Sequence, residues 1–305
     1  MNKSICKSFE ILDSISVTNK YNYRNWNTEV STKYIVRFEG NIVVELSYFS
    51  HYKDKVHVKN AIEIPLSSGC SIKCRHCASG HILRPVLLDI LQLIKLFDFI
   101  VEKHQINEGE YFNISYTGMG ESMFQLNNLI ELSKYIYNRF LKSEFVFSTV
   151  GFSGSYIKRI DALSTLINIR YLHITYLHYD ADKVSLIIPY SHDYGFDILK
   201  LVEIIKNLNN VVIRINFVVI KGYNDDLEHL GGFINIMKSI KNKVIVRISR
   251  LNETDVSNEN ELFSPSLSRV VEIKNNLLLA GFNCYIFSSE TNDKMNCGQL
   301  MWKYC

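Results

Sequence analysis

The sequence predicts an α/β protein, a partial (β/α)6 TIM-like barrel with a small N-terminal β-hairpin extension. Two observations lead to this prediction. From about residue 61, short β-branched or aromatic runs alternate with longer segments of helical periodicity, which is the pattern of βα units around a parallel sheet. Before residue 60, two apolar runs flank Gly40-Asn41, a pair typical of the tight turn between antiparallel strands.

The elements follow in order along the chain. The hairpin covers residues 34–46, and amphipathic segments lie near residues 85–104, 125–141, 154–166, 196–208, 226–241 and 266–280. The strands predicted for the barrel are Ala61–Ser67, Tyr111–Thr117, Phe145–Thr149, Tyr171–Leu177, Val211–Ile220, Val244–Ser249 and Asn283–Ser288. We therefore divide the chain into an accessory segment (1–60), the barrel (61–290) and a C-terminal tail (291–305).

Composition limits the class of protein. The chain has 305 residues, of which 47% are hydrophobic and 21% charged, as expected for one main globular domain. The net charge of +3 indicates no strong electrostatic grip on nucleic acid, so RNA binding would need a local basic patch. No apolar run reaches the roughly 18 residues of a membrane span. Seven cysteines without a secretory signal indicate reduced thiols, and so a cytoplasmic protein with no membrane partner.

Cys70, Cys74 and Cys77 follow the first barrel strand with the spacing C-x3-C-x2-C. A [4Fe-4S] cluster needs one thiolate for each iron, so three cysteines would hold three irons and leave the fourth open to a substrate or cofactor. The alternatives are a zinc knuckle or three buried thiols that bind nothing. Structural zinc needs four closed ligands, and no second pair of cysteines or histidines accompanies this loop. The spacing therefore favours iron and sulfur.

Other candidate residues follow later strands. Gly118-Met119-Gly120-Glu121 comes after the second barrel strand, where two glycines would let the backbone approach a ligand, although alone it is a plain βα turn. The ends of three later strands carry Ser148, His178 and Asn224, which by themselves are ordinary turn, core and capping residues. Because chemistry in such barrels collects at the C-terminal ends of the strands, their shared position favours a common site.

Together these segments resemble the RlmN/Cfr family of radical S-adenosylmethionine (SAM) methyltransferases. The resemblance covers nearly the whole chain from about residue 33, and its specific parts are Gly118-Met119-Gly120-Glu121 and Cys297-Gly298-Gln299-Leu300. It implies a [4Fe-4S] cluster on the three loop cysteines, with SAM on the open iron, and an external one-electron reductant such as flavodoxin or ferredoxin. It further implies the SAM-site residues Gly118, Met119, Gly120, Glu121, Ser148 and Asn224.

The resemblance also implies a catalytic role for Cys297. In that family the terminal cysteine accepts a methyl group from one SAM, a radical derived from a second SAM activates it, and the carbon adds to an RNA adenine. A second cysteine then resolves the adduct, but the corresponding position here, seven residues before Cys70, is Glu63. A carboxylate can act as a base but cannot form the disulfide that releases the product. Cys6 and Cys305 are the possible substitutes.

The sequence thus predicts a radical SAM methyltransferase that works through S-methylated Cys297 on an sp2 carbon. The acceptor is RNA adenine by resemblance, and otherwise a small molecule or a peptide. The alternative is a radical SAM enzyme that abstracts hydrogen from a small molecule or peptide without methyl transfer. A third interpretation is a catalytically silent binding protein, which the intact spacing of the cysteines and of the glycine turn disfavours.

Overall fold

The computed structural model describes residues 9–20, 28–82, 84–151, 153–191, 193 and 195–287. They form two compact units. The first comprises the described residues up to 71 and those from 82 to 145, and the second comprises 72–81 and those from 146 to 287. The predicted division at residues 60 and 290 stays a prediction.

The first unit contains β1 (Phe9–Lys20), β2 (Thr28–Phe38), β3 (Ile42–Lys53), β4 (Val56–Glu63), α1 (Ile90–Lys103), β5 (Phe112–Tyr116), a 3-10 helix (Ser122–Gln125) and α2 (Leu126–Arg139). β6 (Ser143–Thr149) spans the boundary between the units. The second unit contains 3-10 helices at Ala78–His81, Pro189–Ser191 and Lys238–Ile240, together with α3 (Gly154–Leu163), β7 (Ile169–Tyr176), α4 (Ala181–Ile187), α5 (Ile198–Lys206), β8 (Ile213–Val219), α6 (Leu227–Met237), β9 (Val244–Arg250), α7 (Asp255–Glu259), α8 (Leu267–Leu279) and β10 (Asn283–Phe287).

The predicted hairpin is confirmed, and it is longer than expected. β2 and β3 pair in antiparallel fashion from Phe38↔Ile42 to Thr28↔Tyr52, and the turn between them has Gly40 and Asn41 at positive φ. β1 pairs antiparallel along β2 and was not predicted. None of its residues is fully buried, and its alternation of apolar and polar residues is short because the register is irregular between Ile11 and Asp13.

The predicted strand Ala61–Ser67 is wrong in its extent. β4 runs from Val56 to Glu63, antiparallel to β3 and parallel to β5. Its last ladder bond is donated by the Ile64 N–H to the carbonyl of Ser115, at 3.0 Å. Pro65 follows and has no N–H to donate, so the ladder ends there. The chain from Ile64 to Gly69 is therefore a connection that leads from the strand to the cysteine loop.

The second unit has a parallel sheet with one face covered by helices. β7, β8, β9 and β10 pair in that order, all parallel. Phe217 of β8 contacts Phe233 of α6 with ring centroids 5.2 Å apart, and α8 packs on β9 and β10. Parallel strands bring their carboxyl ends to one edge of the sheet, which is the edge where the sequence predicts the chemistry.

Polar caps explain why the helices begin where they do. Before every α-helix except α2, a side-chain oxygen accepts a hydrogen bond from a backbone N–H of the first turn, which satisfies donors that have no partner inside the helix. α1 also has the reciprocal capping box between Asp89 and Gln92. The N-cap residues of α1, α3, α4, α5, α6, α7 and α8 are Asp89, Ser153, Asp180, Asp197, Asp226, Thr254 and Ser266.

The remaining strands and helices agree with the sequence prediction to within a few residues, apart from the longer lead-in predicted for α1. α4 and α7 were not predicted, because they have seven and five residues and are too short for a helical period to show. In the part of the chain that the structure describes, no helix is both long and apolar enough to cross a membrane.

Candidate cofactor site

The connection after β4 is held in place before it reaches the first cysteine. The N–H of Ser68 donates to the carbonyl of Val86, and the N–H of Leu88 donates to the carbonyl of Leu66, both at 3.0 Å. The buried hydroxyl of Ser67 donates to the carbonyl of Gly69. These hydrogen bonds fix the backbone after the β-ladder has ended at Pro65, and they therefore fix the direction in which the chain enters Cys70.

Cys70, Cys74 and Cys77 are partly exposed. The N–H of Cys77 donates to the carbonyl of Cys74 at 3.1 Å, and the N–H of Gly80 donates to the carbonyl of Cys77 at 3.0 Å, so this part of the loop is a pair of tight turns. Among the described residues, no group of three or more histidine, cysteine or acidic side chains is assembled as a metal site. The structure thus places the thiols on one loop without gathering them around a common point.

The donor set on this loop fits a cluster. Three partly exposed thiols can each take one iron, which leaves a fourth iron without a thiolate from this loop. His76 lies between two of these cysteines, and burial lowers its pKa to about 4, so its imidazole is neutral. Its Nδ1 is enclosed and has no hydrogen-bond partner among the described residues. The residues therefore fit the cluster that the motif implies.

The glycine turn after β5 packs directly on the connection that leads to Cys70. A Cβ atom on Gly118 would lie 3.0 Å from the carbonyl oxygen of Ile64. Gly120 has a φ of +103°, and a Cβ there would lie 2.5 Å from Ser67 Oγ. The carbonyl of Met119 accepts a hydrogen bond from the N–H of Leu66 at 2.7 Å. Only glycine permits this approach at position 120, so the two motifs are joined backbone to backbone.

The other two residues of the turn serve the fold through their side chains. The Met119 side chain is buried in an apolar cluster with Ile35 and Val43 of the hairpin. The Glu121 carboxylate accepts a hydrogen bond from the N–H of Met123 at 3.1 Å and so caps the 3-10 helix that follows. The side chain of Met119 therefore faces the core, and a contact of this residue with a cofactor would come from its backbone. The cofactor role of both residues stays a prediction.

Glu63 is the last residue of β4, where it neighbours Ser115 of β5. Thr117 Oγ1 lies 3.4 Å from a Glu63 carboxylate oxygen and 3.0 Å from Ser115 Oγ. The carboxylate thus stands among hydroxyl groups at the carboxyl ends of two parallel strands. This is the edge that precedes both the cysteine loop and the glycine turn, and the position suits a group that exchanges protons.

Asn224 is fully buried, and its amide ties together three backbone groups. Its Oδ1 accepts from the N–H of Ile220 at 2.7 Å, and its Nδ2 donates to the carbonyls of Leu177 and Val218 at 2.7 and 2.9 Å. Both side-chain donors are therefore used within the fold. A contact of Asn224 with SAM would need the second lone pair of Oδ1 or the backbone, and the assignment stays a prediction.

Comparison with known proteins finds relatives that share one name. No protein-family model matches the chain. A dual-specificity RNA methyltransferase RlmN of Buchnera aphidicola is 28% identical over 250 residues, which cover 76% of this chain and 64% of that protein. The RlmN of Campylobacter lari is 26% identical over 252 residues, which cover 80% of this chain and 68% of that protein. The chain is thus similar to proteins named RlmN over most of its length.

A solved structure supports the same relationship at the level of the fold. The crystal structure of a radical SAM methyltransferase from Sphaerobacter thermophilus matches with a TM-score of 0.74 and 16% identity, covering 95% of this chain and 80% of that one. This likeness confirms the predicted α/β fold of the radical SAM type. The resemblance inferred from the motifs is confirmed by the RlmN relatives, which carry the names of enzymes, although the chain spans 64% of the Buchnera protein and 68% of the Campylobacter one.

The structure brings together only part of the predicted site. Within the first unit it joins the glycine turn to the approach to Cys70, with Glu63 at the end of the preceding strand. Ser148 is partly exposed near the end of β6, and Asn224 lies in the second unit, as do Cys74 and Cys77. Cys297, Cys305 and Cys6 lie outside the described residues.

A histidine and tyrosine cluster at the end of β7 is a feature that sequence reasoning largely missed. The rings of His178 and His229 have centroids 4.2 Å apart, and the Tyr176 hydroxyl lies 3.1 Å from His229 Nε2. Burial, assisted by the neighbouring His178, lowers the pKa of His229 to about 4, so its imidazole is neutral. His178 has a motif signal, whereas His229 sits inside α6 and is brought there only by the packing of that helix.

The close approach at Gly120 makes a testable prediction. In Gly120→Ala the new methyl group would overlap Ser67 Oγ in a backbone conformation that alanine rarely adopts, so we expect the protein to lose about 2–3 kcal/mol of unfolding free energy. Urea unfolding followed by circular dichroism measures the change. Gly231→Ala is the matched control, because no atom lies within 4 Å of a Cβ at that helical position. Its stability should be unchanged or higher, since alanine favours a helix more than glycine does. Equal effects of the two changes would contradict the proposed contact.

Proposed function

We propose that this chain is a radical SAM enzyme that holds a [4Fe-4S] cluster on Cys70, Cys74 and Cys77 and transfers methyl groups through Cys297. The observation that carries the proposal is the direct backbone contact between the approach to the cysteine loop and the glycine turn. The N–H of Leu66, four residues before Cys70, donates to the carbonyl of Met119 in the glycine turn, and Gly120 closes against Ser67. A cysteine loop and a glycine turn joined in this way suit a cofactor that spans both.

Different residues of this chain would bind the cluster and SAM. Three thiolates would anchor three irons and leave one position to the amino and carboxylate groups of SAM. Gly118 and Gly120 would offer backbone groups that a side chain at either position would block. When bound, the reduced cluster and SAM supply the one-electron chemistry that breaks strong C–H bonds. An external reductant such as flavodoxin or ferredoxin would provide the electron, and a reducing cytoplasm suits the seven cysteines.

The relatives are named RNA methyltransferases, so we take an RNA adenine as the first acceptor to test. Glu63 bears directly on that choice, because the family's resolving thiol is replaced here by a carboxylate. Held beside Thr117 at the end of β4, Glu63 can receive a proton from the acceptor carbon, but it cannot release a thioether-linked product as a disulfide. A small molecule or peptide is the other class of acceptor.

Glu63 also favours a second candidate function. Without a resolving thiol at this position, the chain could use SAM to abstract hydrogen directly from a small molecule or peptide, and Cys297 would carry no methyl group. The two candidates differ in one measurable product. The first requires methylated Cys297, whereas the second yields 5′-deoxyadenosine with no transfer of methyl to the protein.

The deciding experiment incubates the anaerobically reconstituted full chain with methyl-labelled SAM and locates the label by peptide mass spectrometry. We expect the label on Cys297, and we expect Cys297→Ala to lose it entirely. Cys305→Ala is the matched control, since it removes a thiol from the same tail and should leave the label in place. An unlabelled Cys297 with continued formation of 5′-deoxyadenosine would contradict methyl transfer and support the second candidate.

A further inference from the structure

The parallel sheet of the second unit has a second face, opposite to the face on which the helices pack. The side chains of Ile213, Ile215 and Phe217 point to the helix-covered face and are buried. Between them, Arg214 and Asn216 point to the opposite face and are partly exposed. Strand register aligns the residues of this opposite face in rows, with pairs His173↔Arg214, Asn216↔Arg247, Tyr285↔Arg247 and Phe287↔Ser249. The face is therefore a mixed surface within one unit, on which Val218 and Ile245 lie among polar and aromatic side chains.

Two guanidinium groups on this face lie flat on aromatic rings. The carbon atom at the centre of the Arg214 guanidinium is 3.4 Å from the centroid of Tyr171, and that of Arg247 is 3.5 Å from the centroid of Phe287. Stacking covers the flat side of a guanidinium but leaves its edge, which carries the N–H groups, able to donate. Both cations are thus held with their donors arranged in fixed directions.

The surroundings of Arg214 do not neutralise its charge. Its Nη1 lies 3.1 Å from Nε2 of His173, and its Nε is buried with no hydrogen-bond partner among the described residues. In the described part of the chain no carboxylate pairs with Arg214, and burial lowers the pKa of its guanidinium. His173 is buried and lies beside the two arginines. Its burial and the two positive charges lower the pKa of His173, so its imidazole is a neutral hydrogen-bond acceptor. An anion at this face would relieve the cost of a partly buried cation that has no carboxylate beside it among the described residues.

Asn216 and Ser249 add neutral groups next to the two arginines. Ser249 Oγ donates to Asn216 Oδ1 at 3.0 Å, which fixes the orientation of the amide. The Nδ2 of Asn216 then remains as a donor on the same face. Forked N–H groups from two guanidiniums and an amide N–H match the several oxygens of a phosphate, whereas a carboxylate has only two oxygens to receive them.

We propose that this face binds a phosphate group of the substrate, through the guanidinium edge of Arg214 with support from Arg247 and Asn216. The substrate would accordingly be a nucleotide, either free or within an RNA chain. This inference rests on the proposed function for the reaction itself, but the binding site stands on its own residues. The site belongs to β8 and β9 and uses none of the residues of the cysteine loop or the glycine turn.

The test measures binding to the full-length reconstituted chain by isothermal titration calorimetry at low salt. The probes are adenosine 5′-monophosphate, uncharged adenosine, acetate and a short adenine-containing RNA oligonucleotide. We expect the monophosphate or the oligonucleotide to bind more tightly than adenosine, and the tighter of those two identifies the source of the phosphate. We expect Arg214→Gln to weaken that binding roughly ten- to a hundredfold, since it removes a charged hydrogen-bond donor. Arg214→Lys should recover part of the affinity, because it keeps the charge but loses the fork.

Arg159→Gln is the matched control, because it removes an exposed arginine from α3 of the same unit and should bind as the unaltered chain does. Urea unfolding of each variant shows whether it is folded. Three results would each overturn the proposal. They are equal affinities for adenosine and its monophosphate, a higher affinity for acetate than for the monophosphate, and an Arg214→Gln variant with unaltered affinity. Formation of 5′-deoxyadenosine by the unaltered chain is assayed separately. Its absence together with intact phosphate binding would overturn the proposed reaction and leave this site standing.

Discussion

Replacing Cys77 with alanine is expected to abolish cluster assembly in this protein. Cys77 is a partly exposed free thiol on the loop that also carries Cys70 and Cys74. Removing one of three thiolates leaves an iron without a protein ligand, and no other group of metal-binding side chains is assembled among the described residues to replace it. After anaerobic reconstitution, iron and sulfide content and the visible absorption of a [4Fe-4S] protein should fall to background.

Cys284→Ala is the control for this prediction, because it removes a thiol far from the loop in sequence. Cys284 is buried on β10, where its Sγ lies 3.6 Å from the carbonyl oxygen of Lys274, and burial raises the pKa of the thiol. The variant should bind a full complement of iron, with a loss of about 1 kcal/mol in unfolding free energy. Full iron content in Cys77→Ala, or stoichiometric zinc in place of iron in the unaltered chain, would contradict the cluster assignment.

Replacing Asn224 with alanine is expected to cost the protein about 3–5 kcal/mol of unfolding free energy. The side chain is fully buried, and it satisfies the N–H of Ile220 and the carbonyls of Leu177 and Val218. Alanine would leave these three backbone groups without partners, at about 1–3 kcal/mol for each group that water cannot reach. The change would also release the loop after β8 from the end of β7. Urea unfolding followed by circular dichroism measures the loss.

Two further variants show whether the cause is the lost hydrogen bonds. Asn276→Ala removes a partly exposed asparagine whose Nδ2 donates to the carbonyl of Glu272, and it should change the unfolding free energy by less than about 0.5 kcal/mol. Asn224→Asp keeps the size but turns a donor into a negatively charged acceptor that faces two carbonyls, so it should destabilise at least as much as alanine. An Asn224→Ala variant as stable as Asn276→Ala would show that the buried amide is not a structural tie.

Local rules explain why much of the fold was predictable. Gly40-Asn41 specifies a turn at positive φ, and the alternating runs of β5 to β10 and the capped helices between them each follow from nearby residues. The end of β4 could have been placed more accurately from the same kind of rule, because Pro65 cannot continue a ladder. β1 escaped prediction because pairing with β2 stabilises it, while its own pattern shows no buried face.

Part of the candidate site could likewise be predicted from the sequence, and part became visible only in the tertiary structure. The cysteine spacing and the two glycines of the turn each lie within a short stretch of sequence, so the sequence alone was enough to predict a cluster and a SAM site. The sequence could not show that the side-chain N–H groups of Asn224 donate to backbone carbonyls, or that Arg214 stacks on Tyr171 of a neighbouring strand. The bond from Asn224 to Leu177 and the stacking of Arg214 on Tyr171 join residues that are more than about 40 positions apart. Only the packing of the strands and helices decided them, because hydrogen bonds and stacking depend on distance in space rather than distance along the chain.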